Sequence, residues 1–308
     1  MKTNTEIDIR DTYILPWNGQ YYMYGTCGRD AFTGTKAGFL CYRGTDLESW
    51  EGPFCVFPNN GSCWANSNFW APEVYHIKDA FYMFASWTST PTEMGIRSPQ
   101  TLCILRADNP LGPFEIWNDN LCIGNDPTLY EKDGHYFLIY NDTDVTMLAR
   151  ELKPDLRDFC GEAIRLFSRL DPEVTWSVGG PTEGAETYVT PKGNLLLLWS
   201  SFCKGHSKKF AAIGLKDMDY GTAIARSDSG SLAGPYVHGN TMLTPPNMGH
   251  CNLFYDLSGN LMLSTHYPDD NENAFGCSNP IFFPVRYDDT ADTLYIPQDA
   301  FDKLKLYQ

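Results

Sequence analysis

The chain has 308 residues, 43% hydrophobic and 14% aromatic, ample apolar material for a large core. Its 38 Asp and Glu against 23 Lys and Arg leave a formal charge of −15, a field that repels polyanions. Nucleic acid and an anionic membrane face are thereby excluded as partners, and a neutral substrate fits better. No run approaches the ~20 apolar residues of a membrane-spanning helix. The opening MKTNTEIDIRDTYIL has no apolar stretch of the kind a secretory signal needs, and ten Cys are scattered without a CxxC pair. These features predict a cytoplasmic protein with reduced thiols and no zinc site.

Taken in chain order, one unit recurs: a short strand, a Gly/Asp/Asn turn, then an aromatic or aliphatic strand. Its copies are RDTYILPWNGQYYMYGT from Arg10, WAPEVYHIKDAFYMFAS from Trp70, NDPTLYEKDGHYFLIYN from Asn125, TEGAETYVTPKGNLLLLWS from Thr182 and GHCNLFYDLSGNLMLSTHY from Gly249. The first strands open at Asp11, Ala71, Asp126, Glu183 and His250, spaced by 60, 55, 57 and 67 residues. Each copy reads as a β-hairpin, with turns such as Asn18-Gly19 and Asp133-Gly134. The second strands are almost wholly apolar, as strands covered on both faces must be. Gly52-Pro53-Phe54, Gly112-Pro113-Phe114 and Gly234-Pro235-Tyr236 recur in phase with the hairpins and mark further, outer strands. An α+β protein would need amphipathic helices of ten or more residues, and Glu151–Phe159 has room for a turn or so at most. Repeats of about 60 residues, each four strands, predict an all-β, five-bladed β-propeller that spans residues 1–308 as one domain.

In a propeller the innermost strand of every blade runs along the central channel, so equivalent strand ends meet at one mouth. Asp11, Asp126, Glu183 and His250 would therefore converge, with Trp70 beside Ala71. Singly, each has a plain structural explanation: Asp and Glu cap backbone amides near turns, Asp126 precedes Pro127 as a turn initiator would, and His250 and Trp70 suit a core. Three carboxylates in phase on three blades are harder to explain so, because clustered negative charge costs stability through repulsion and desolvation. Glycoside hydrolysis needs such a set, one acid to protonate the leaving oxygen and one base to activate water. Trp70 on the channel rim would stack on a sugar ring.

These residues carry a resemblance to glycoside hydrolase family 43, the five-bladed arabinanase, arabinofuranosidase and xylosidase family. It runs from about Ile9 to Ile296, through IRDTYI with YYMYGT, FWAPEVY, NDPTLY with DGHYFLIY, TEGAETYV and GHCNLFYD. The resemblance implies an inverting hydrolase in which Asp11 is the general base, Asp126 tunes and orients the acid, and Glu183 is the general acid. Trp70 and His250 would bind substrate, and His250 matches a channel histidine that in some members lies beside calcium or another cation. The chemistry itself would need no cofactor. Two departures stand out: Thr12 follows Asp11 where the family usually has Pro, and Glu183-Gly184-Ala185 replaces the usual Glu-Gly-Pro. Glu186 and Asp8 are the rivals to Glu183 and Asp11. For these roles Glu183 must hold a proton near neutral pH, raised by anionic Asp126, while Asp11 stays ionised. With no appended β-sandwich, the expected activity is an exo-acting α-L-arabinofuranosidase on plant-derived oligosaccharides. β-Xylosidase, β-galactofuranosidase and endo-arabinanase remain alternatives, as does a carbohydrate-binding propeller without catalysis. Loops 59–68, 89–100 and 204–218 would decide among the sugars.

Overall fold

The computed structural model describes residues 1–27, 38–89, 99–142, 145–206, 217–269 and 278–307. Strands dominate them and form five blades, counted from the channel outward. Blade 1 holds β2 (Ile9–Trp17), β3 (Gln20–Cys27), β4 (Gly38–Gly44) and β5 (Ser49–Pro58), with a short β1 (Lys2–Thr3) paired on its outer edge. Blade 2 holds β6 (Ser67–Ile77), β7 (Ala80–Thr88), β8 (Thr101–Ala107) and β9 (Glu115–Asn118). Blade 3 holds β10 (Asn125–Lys132), β11 (His135–Asn141), β12 (Thr146–Glu151) and β13 (Ile164–Ser168). Blade 4 holds β14 (Ser177–Val189), β15 (Leu195–Lys204), β16 (Met218–Ser227) and β17 (Tyr236–Met242). Blade 5 has three strands, β18 (Asn252–Tyr255), β19 (Leu261–Tyr267) and β20 (Asn279–Pro284), followed by a separate hairpin of β21 (Arg286–Asp288) and β22 (Thr293–Tyr295). Every pairing is antiparallel.

The repeat read from the sequence is therefore the inner hairpin of each blade. Asn18-Gly19 and Asp133-Gly134 both have two successive positive φ angles, the backbone that a two-residue hairpin turn demands. The Gly-Pro-aromatic triplets lie within or lead into the outermost strands β5, β9 and β17, each with a cis Gly–Pro bond. Among the described residues the only helical segments are two of 3₁₀ type, Asn4–Glu6 and Gln298–Tyr307, and the second was not anticipated.

Side chains alternate across a strand, and here both faces are covered, so each blade feeds two cores. Strand β15 shows this most directly. Leu195, Leu197 and Trp199 pack with blade 3 residues such as Ile139, Met147 and Phe167, whereas Leu196 and Leu198 pack with Leu263, Ile281 and Phe283 of blade 5. The uninterrupted LLLLW run is thus required by the architecture. Five buried clusters result, one at each interface between neighbouring blades.

Among the described residues the interface of blades 5 and 1 closes the ring through no shared strand. Main-chain and side-chain bonds stitch it: Ile9 N–H to the Ser278 carbonyl at 2.9 Å, Asn279 Nδ2 to the Ile7 carbonyl at 2.8 Å, and Ile14 N–H to Asn252 Oδ1 at 3.0 Å. Beneath them Ile7, Ile9, Met23 and Trp50 of the first blade and its lead-in pack on Phe254 and Phe282. Phe282→Ala is expected to destabilise the protein by about 3–5 kcal/mol, the cost of truncating a buried aromatic, and a urea titration against the unmodified chain checks this.

Candidate active site

Four inner strands carry the same irregularity. Between Arg10 and Tyr13, Trp70 and Glu73, Asn125 and Thr128, and Glu183 and Glu186, three steps along the inner strand oppose two along its partner, one extra residue in each. The extra residue is left-handed: Asp11 (φ 52°), Ala71 (43°), Asp126 (50°) and Gly184 (58°), with His250 (52°) at the start of blade 5. Such bulges bend a strand and re-aim its side chains. Non-glycine residues held there cost about 1–3 kcal/mol each, strain that collects at functional sites.

This register corrects the phase expected for blade 4. Gly184, not Glu183, is the counterpart of Asp11, Ala71, Asp126 and His250. Glu183 stands one residue earlier, level with Arg10, Trp70 and Asn125, and each of these four pairs with the neighbouring strand at Thr26, Ser86, Asn141 or Ser200. The position after the left-handed residue is buried and mostly apolar: Pro72, Pro127, Ala185 and Cys251. Ala185 therefore fills the place of the expected Pro without conflict. Thr12 fills it in blade 1, where its buried hydroxyl has no hydrogen-bond partner among the described residues.

The structure brings Asp11, Asp126, Glu183 and His250 together at one end of the channel. His250 Nδ1 lies 3.4 Å from Asp11 Oδ1 and 3.5 Å from Asp126 Oδ2. Burial depresses the pKa of His250, which keeps it neutral despite Asp11. Asp126 and Glu183 are hydrogen-bonded to each other. Burial, then the charges of Glu183 and Asp11, pushes Asp126 well above the usual carboxylate range. Burial above all, with the Asp11 charge behind it, pushes Glu183 up to about 7, against the opposing hydrogen bond from Tyr220. This corrects the expectation that anionic Asp126 raises the acid: desolvation raises Glu183, whereas the hydrogen bond with Asp126, itself pushed up, works in the lowering direction. Asp11 goes the other way. Burial opposes its ionisation, but His250, His266, Arg10 and the Thr26 hydroxyl hold it below the ordinary value.

Several supporting groups lie outside the inner strands and escaped the sequence reading. Thr26 Oγ1 donates to Asp11 Oδ2 at 2.6 Å and accepts the Ala71 N–H at 2.8 Å. The Tyr220 hydroxyl donates to Glu183 Oε1 at 2.8 Å. The Arg10 guanidinium is paired with Asp269, and the Asp11 N–H donates to His266 Nδ1 at 3.2 Å. Alternation along β3 and β19, which would have set Thr26 and His266 toward the next blade, was the one signal available.

The rivals have other work. Glu186 faces blade 5, where Asn252 Nδ2 and Leu253 N–H donate to it at 2.8 and 3.0 Å, and it also accepts the Thr187 N–H of its own strand at 2.8 Å. Burial also pushes it up to about 7, so geometry and not acidity separates it from Glu183. Asp8 accepts the Ser278 N–H at 3.3 Å. Trp70 is half-buried and lines a cavity of about 180 Å³ with Gln100, Asn125 and Asp142, a position open to a sugar. Among the described residues no three His, Cys, Asp or Glu side chains are grouped to hold a metal, and His250 Nδ1 is engaged between two carboxylates. Of the loops expected to shape specificity, residues 90–98 and 207–216 lie outside the described residues.

Gly184 tests the assembly. A Cβ there would sit 3.0 Å from His250 Cγ and 3.1 Å from His250 Cα, on a left-handed backbone. Gly184→Ala is expected to cost about 1–2 kcal/mol of stability and to lower kcat by displacing His250 between Asp11 and Asp126. Denaturant titration and kcat for glycoside hydrolysis, measured on the same preparation, check the two effects.

The comparisons agree with this geometry. The sequence model of Glycosyl hydrolases family 43 matches residues 5–278. No curated protein matches the chain in sequence. Among solved structures, an endo-arabinase from Bacteroides thetaiotaomicron VPI-5482 is 26% identical with a TM-score of 0.77, over 93% of this chain and 97% of that one. An endo-1,4-beta-xylanase from the same bacterium is 22% identical with a TM-score of 0.72, over 96% of each. An exo-1,5-alpha-L-arabinanase from a bovine ruminal metagenomic library is 16% identical with a TM-score of 0.70, over 97% of this chain and all of that one, a likeness of fold. The chain belongs to glycoside hydrolase family 43, a five-bladed propeller enzyme that hydrolyses O-glycosyl bonds with inversion.

Proposed function

We propose that the enzyme is an exo-acting α-L-arabinofuranosidase on plant-derived, arabinose-containing oligosaccharides, with Asp11 as general base, Glu183 as general acid and Asp126 holding and tuning the acid. The observation that carries the roles is the opposite pull on two carboxyl groups a few side chains apart: Glu183 is pushed up to about 7 while Asp11 is held down. Environments that separate two carboxyl pKa values assign acid and base. Asp11 takes a proton from a water molecule as its oxygen attacks the anomeric carbon. Glu183 gives its proton to the departing glycosidic oxygen. The C–O bond to the leaving group breaks as the new one forms on the opposite face, giving a sugar of inverted configuration and a free alcohol. That sequence needs the acid and base about 6.5–9.5 Å apart to seat the water.

The preference for arabinose leans on the endo-arabinase of B. thetaiotaomicron, which also favours a second reading, endo-cleavage of arabinan by this chain. A panel of 4-nitrophenyl arabinofuranoside, xylopyranoside and galactofuranoside, run beside linear arabinan, separates them. The arabinofuranoside is expected to be cleaved fastest, with arabinose the first product from oligosaccharides. Internal cleavage of arabinan without turnover of the aryl arabinofuranoside would replace the exo reading with the endo one.

The roles predict a leaving-group split. Glu183→Gln is expected to lose about 10²–10⁴-fold on a disaccharide and far less on a 4-nitrophenyl glycoside, because nitrophenolate leaves with little help. Asp11→Asn is expected to damage both alike. The acid must be protonated and the base ionised. For the unmodified enzyme, kcat/KM on the disaccharide should therefore fall as pH rises through about 7, and its acid limb should lie below the ordinary aspartate value. The alkaline limb should vanish in Glu183→Gln. Profiles of kcat/KM against pH for the three proteins check both statements.

A further inference from the structure

We propose that His266 is a positioning residue of this enzyme, a fixed spacer that holds the base Asp11 on one side and the hydrogen-bond partner of the acid on the other. The inference rests on the assignment of Asp11 and Glu183 above and adds to it a residue on another strand.

The five-fold repeat isolates the position. On the second strand of each blade, one residue lies two steps beyond the partner of Tyr13, Glu73, Thr128, Glu186 or Asn252. These residues are Thr26, Ser86, Asn141, Ser200 and His266. Thr26, Ser86, Ser200 and His266 hold the bulge of the next blade, whereas Asn141 donates to the Asp142 carbonyl at 3.4 Å. Thr26 Oγ1 accepts the N–H of left-handed Ala71 at 2.8 Å, and Ser200 Oγ accepts that of left-handed His250 at 2.8 Å. Ser86 Oγ bonds Asn125, the neighbour of left-handed Asp126, at 2.5 Å. His266 does the same for Asp11, through Nδ1 at 3.2 Å. Three of the five blades use a hydroxyl, and the blade that faces the base uses an imidazole.

An imidazole does two things there that a hydroxyl cannot. Its Nδ1 accepts, so its proton sits on Nε2, which faces Asp269 Oδ1 at 3.2 Å. Asp269 is in turn paired with Arg10, whose Nη1 also donates to Ser278 Oγ at 3.1 Å. This chain fixes both the tautomer and the plane of a fully buried ring. The ring also lies near-parallel to Tyr220, with centroids 6.1 Å apart at 24°, and Tyr220 is the residue that donates to Glu183. The groups that face His266 are thus Arg10, Asp11, Asp269 and Tyr220. Burial holds the imidazole pKa down to about 4, so it stays a neutral acceptor over the working range of the enzyme. The ring of His266 is fully buried and its two nitrogens are committed to the Asp11 N–H and to Asp269. It sets where the base stands relative to the acid.

The test compares His266→Leu, which removes the acceptor, with His266→Ser and His266→Asn, which restore side chains that the same position holds in other blades. Melting curves establish that each protein is folded. The expected result for His266→Leu is a fall in kcat of about 10²-fold, the scale of a small misplacement of a reacting group. KM should stay within about twofold. Because the base is affected, the loss should be equal on a 4-nitrophenyl glycoside and on the disaccharide, and the acid limb of the kcat/KM profile should move up toward the ordinary aspartate value. His266→Asn should recover much of kcat, and His266→Ser less. If His266→Leu does not fold, the Asn and Ser proteins decide alone. Unchanged kcat in folded His266→Leu (or in His266→Ser, where the Leu protein does not fold), a loss carried by KM, or a loss confined to the poorer leaving group would overturn the inference. Asp11→Asn serves as the control: if it retains activity, the assignment of the base fails, whereas an inactive Asp11→Asn beside unaffected His266 variants rejects the spacer alone.

Discussion

The site depends on one backbone constraint, an extra left-handed residue where each inner strand reaches the channel mouth. In an ordinary strand successive side chains alternate between faces, and both faces of these blades are claimed by the interblade cores. A carboxylate on a regular strand would therefore be driven into a hydrophobic interface. The bulge frees one side chain per blade from that alternation. Asp11, Asp126 and His250 use the freed position itself, and Glu183 uses the residue before a bulge whose left-handed member is Gly184. The strain of those φ angles is met by hydrogen bonds from the blade behind, which is why Thr26, Ser200 and His266 are polar on otherwise apolar second strands.

Electrostatics then divides the roles. The protein carries a large negative charge, yet the immediate surroundings of Asp11 hold Arg10, two imidazoles and a donating hydroxyl. A short distance around the ring, Tyr220, Arg10 and the Asp126 hydrogen bond favour ionisation of Glu183 without offsetting its burial, and Asp126 has the charges of Glu183 and Asp11 against it. Burial is common to all three carboxyl groups, so it is the distribution of donors that separates them.

Much of this was legible in the sequence, for reasons that can be named. The blade number follows from the hairpin repeat because every blade must present a doubly buried second strand, and YYMYGT, FYMFAS, YFLIYN and LLLLWS all say so. The converging residues follow because strand ends of a propeller meet. The phase in blade 4 was misread by one residue, since spacing does not reveal which member of Glu183-Gly184 carries the left-handed backbone. The supporting residues were missed for a related reason: Tyr220 lies on β16 and His266 at the end of β19, and their relation to Glu183 and Asp11 exists only across strands and blades. The 3₁₀ segment Gln298–Tyr307 carries no strong apolar stripe that would have announced it.

The seam between the first and last blades has a consequence for how the molecule comes into being. Chains are made from the N-terminus and fold as synthesis proceeds. The strand bearing Asp11 is among the earliest made, but the groups that hold it in place, His266, Asp269 and Ser278, belong to the last blade. Four blades can emerge and pack against one another while the nucleophilic water still has no ordered base to meet. Hydrolytic competence therefore arrives only once the fifth blade has been made and the ring shuts, and a chain released before that point carries most of the fold without its chemistry.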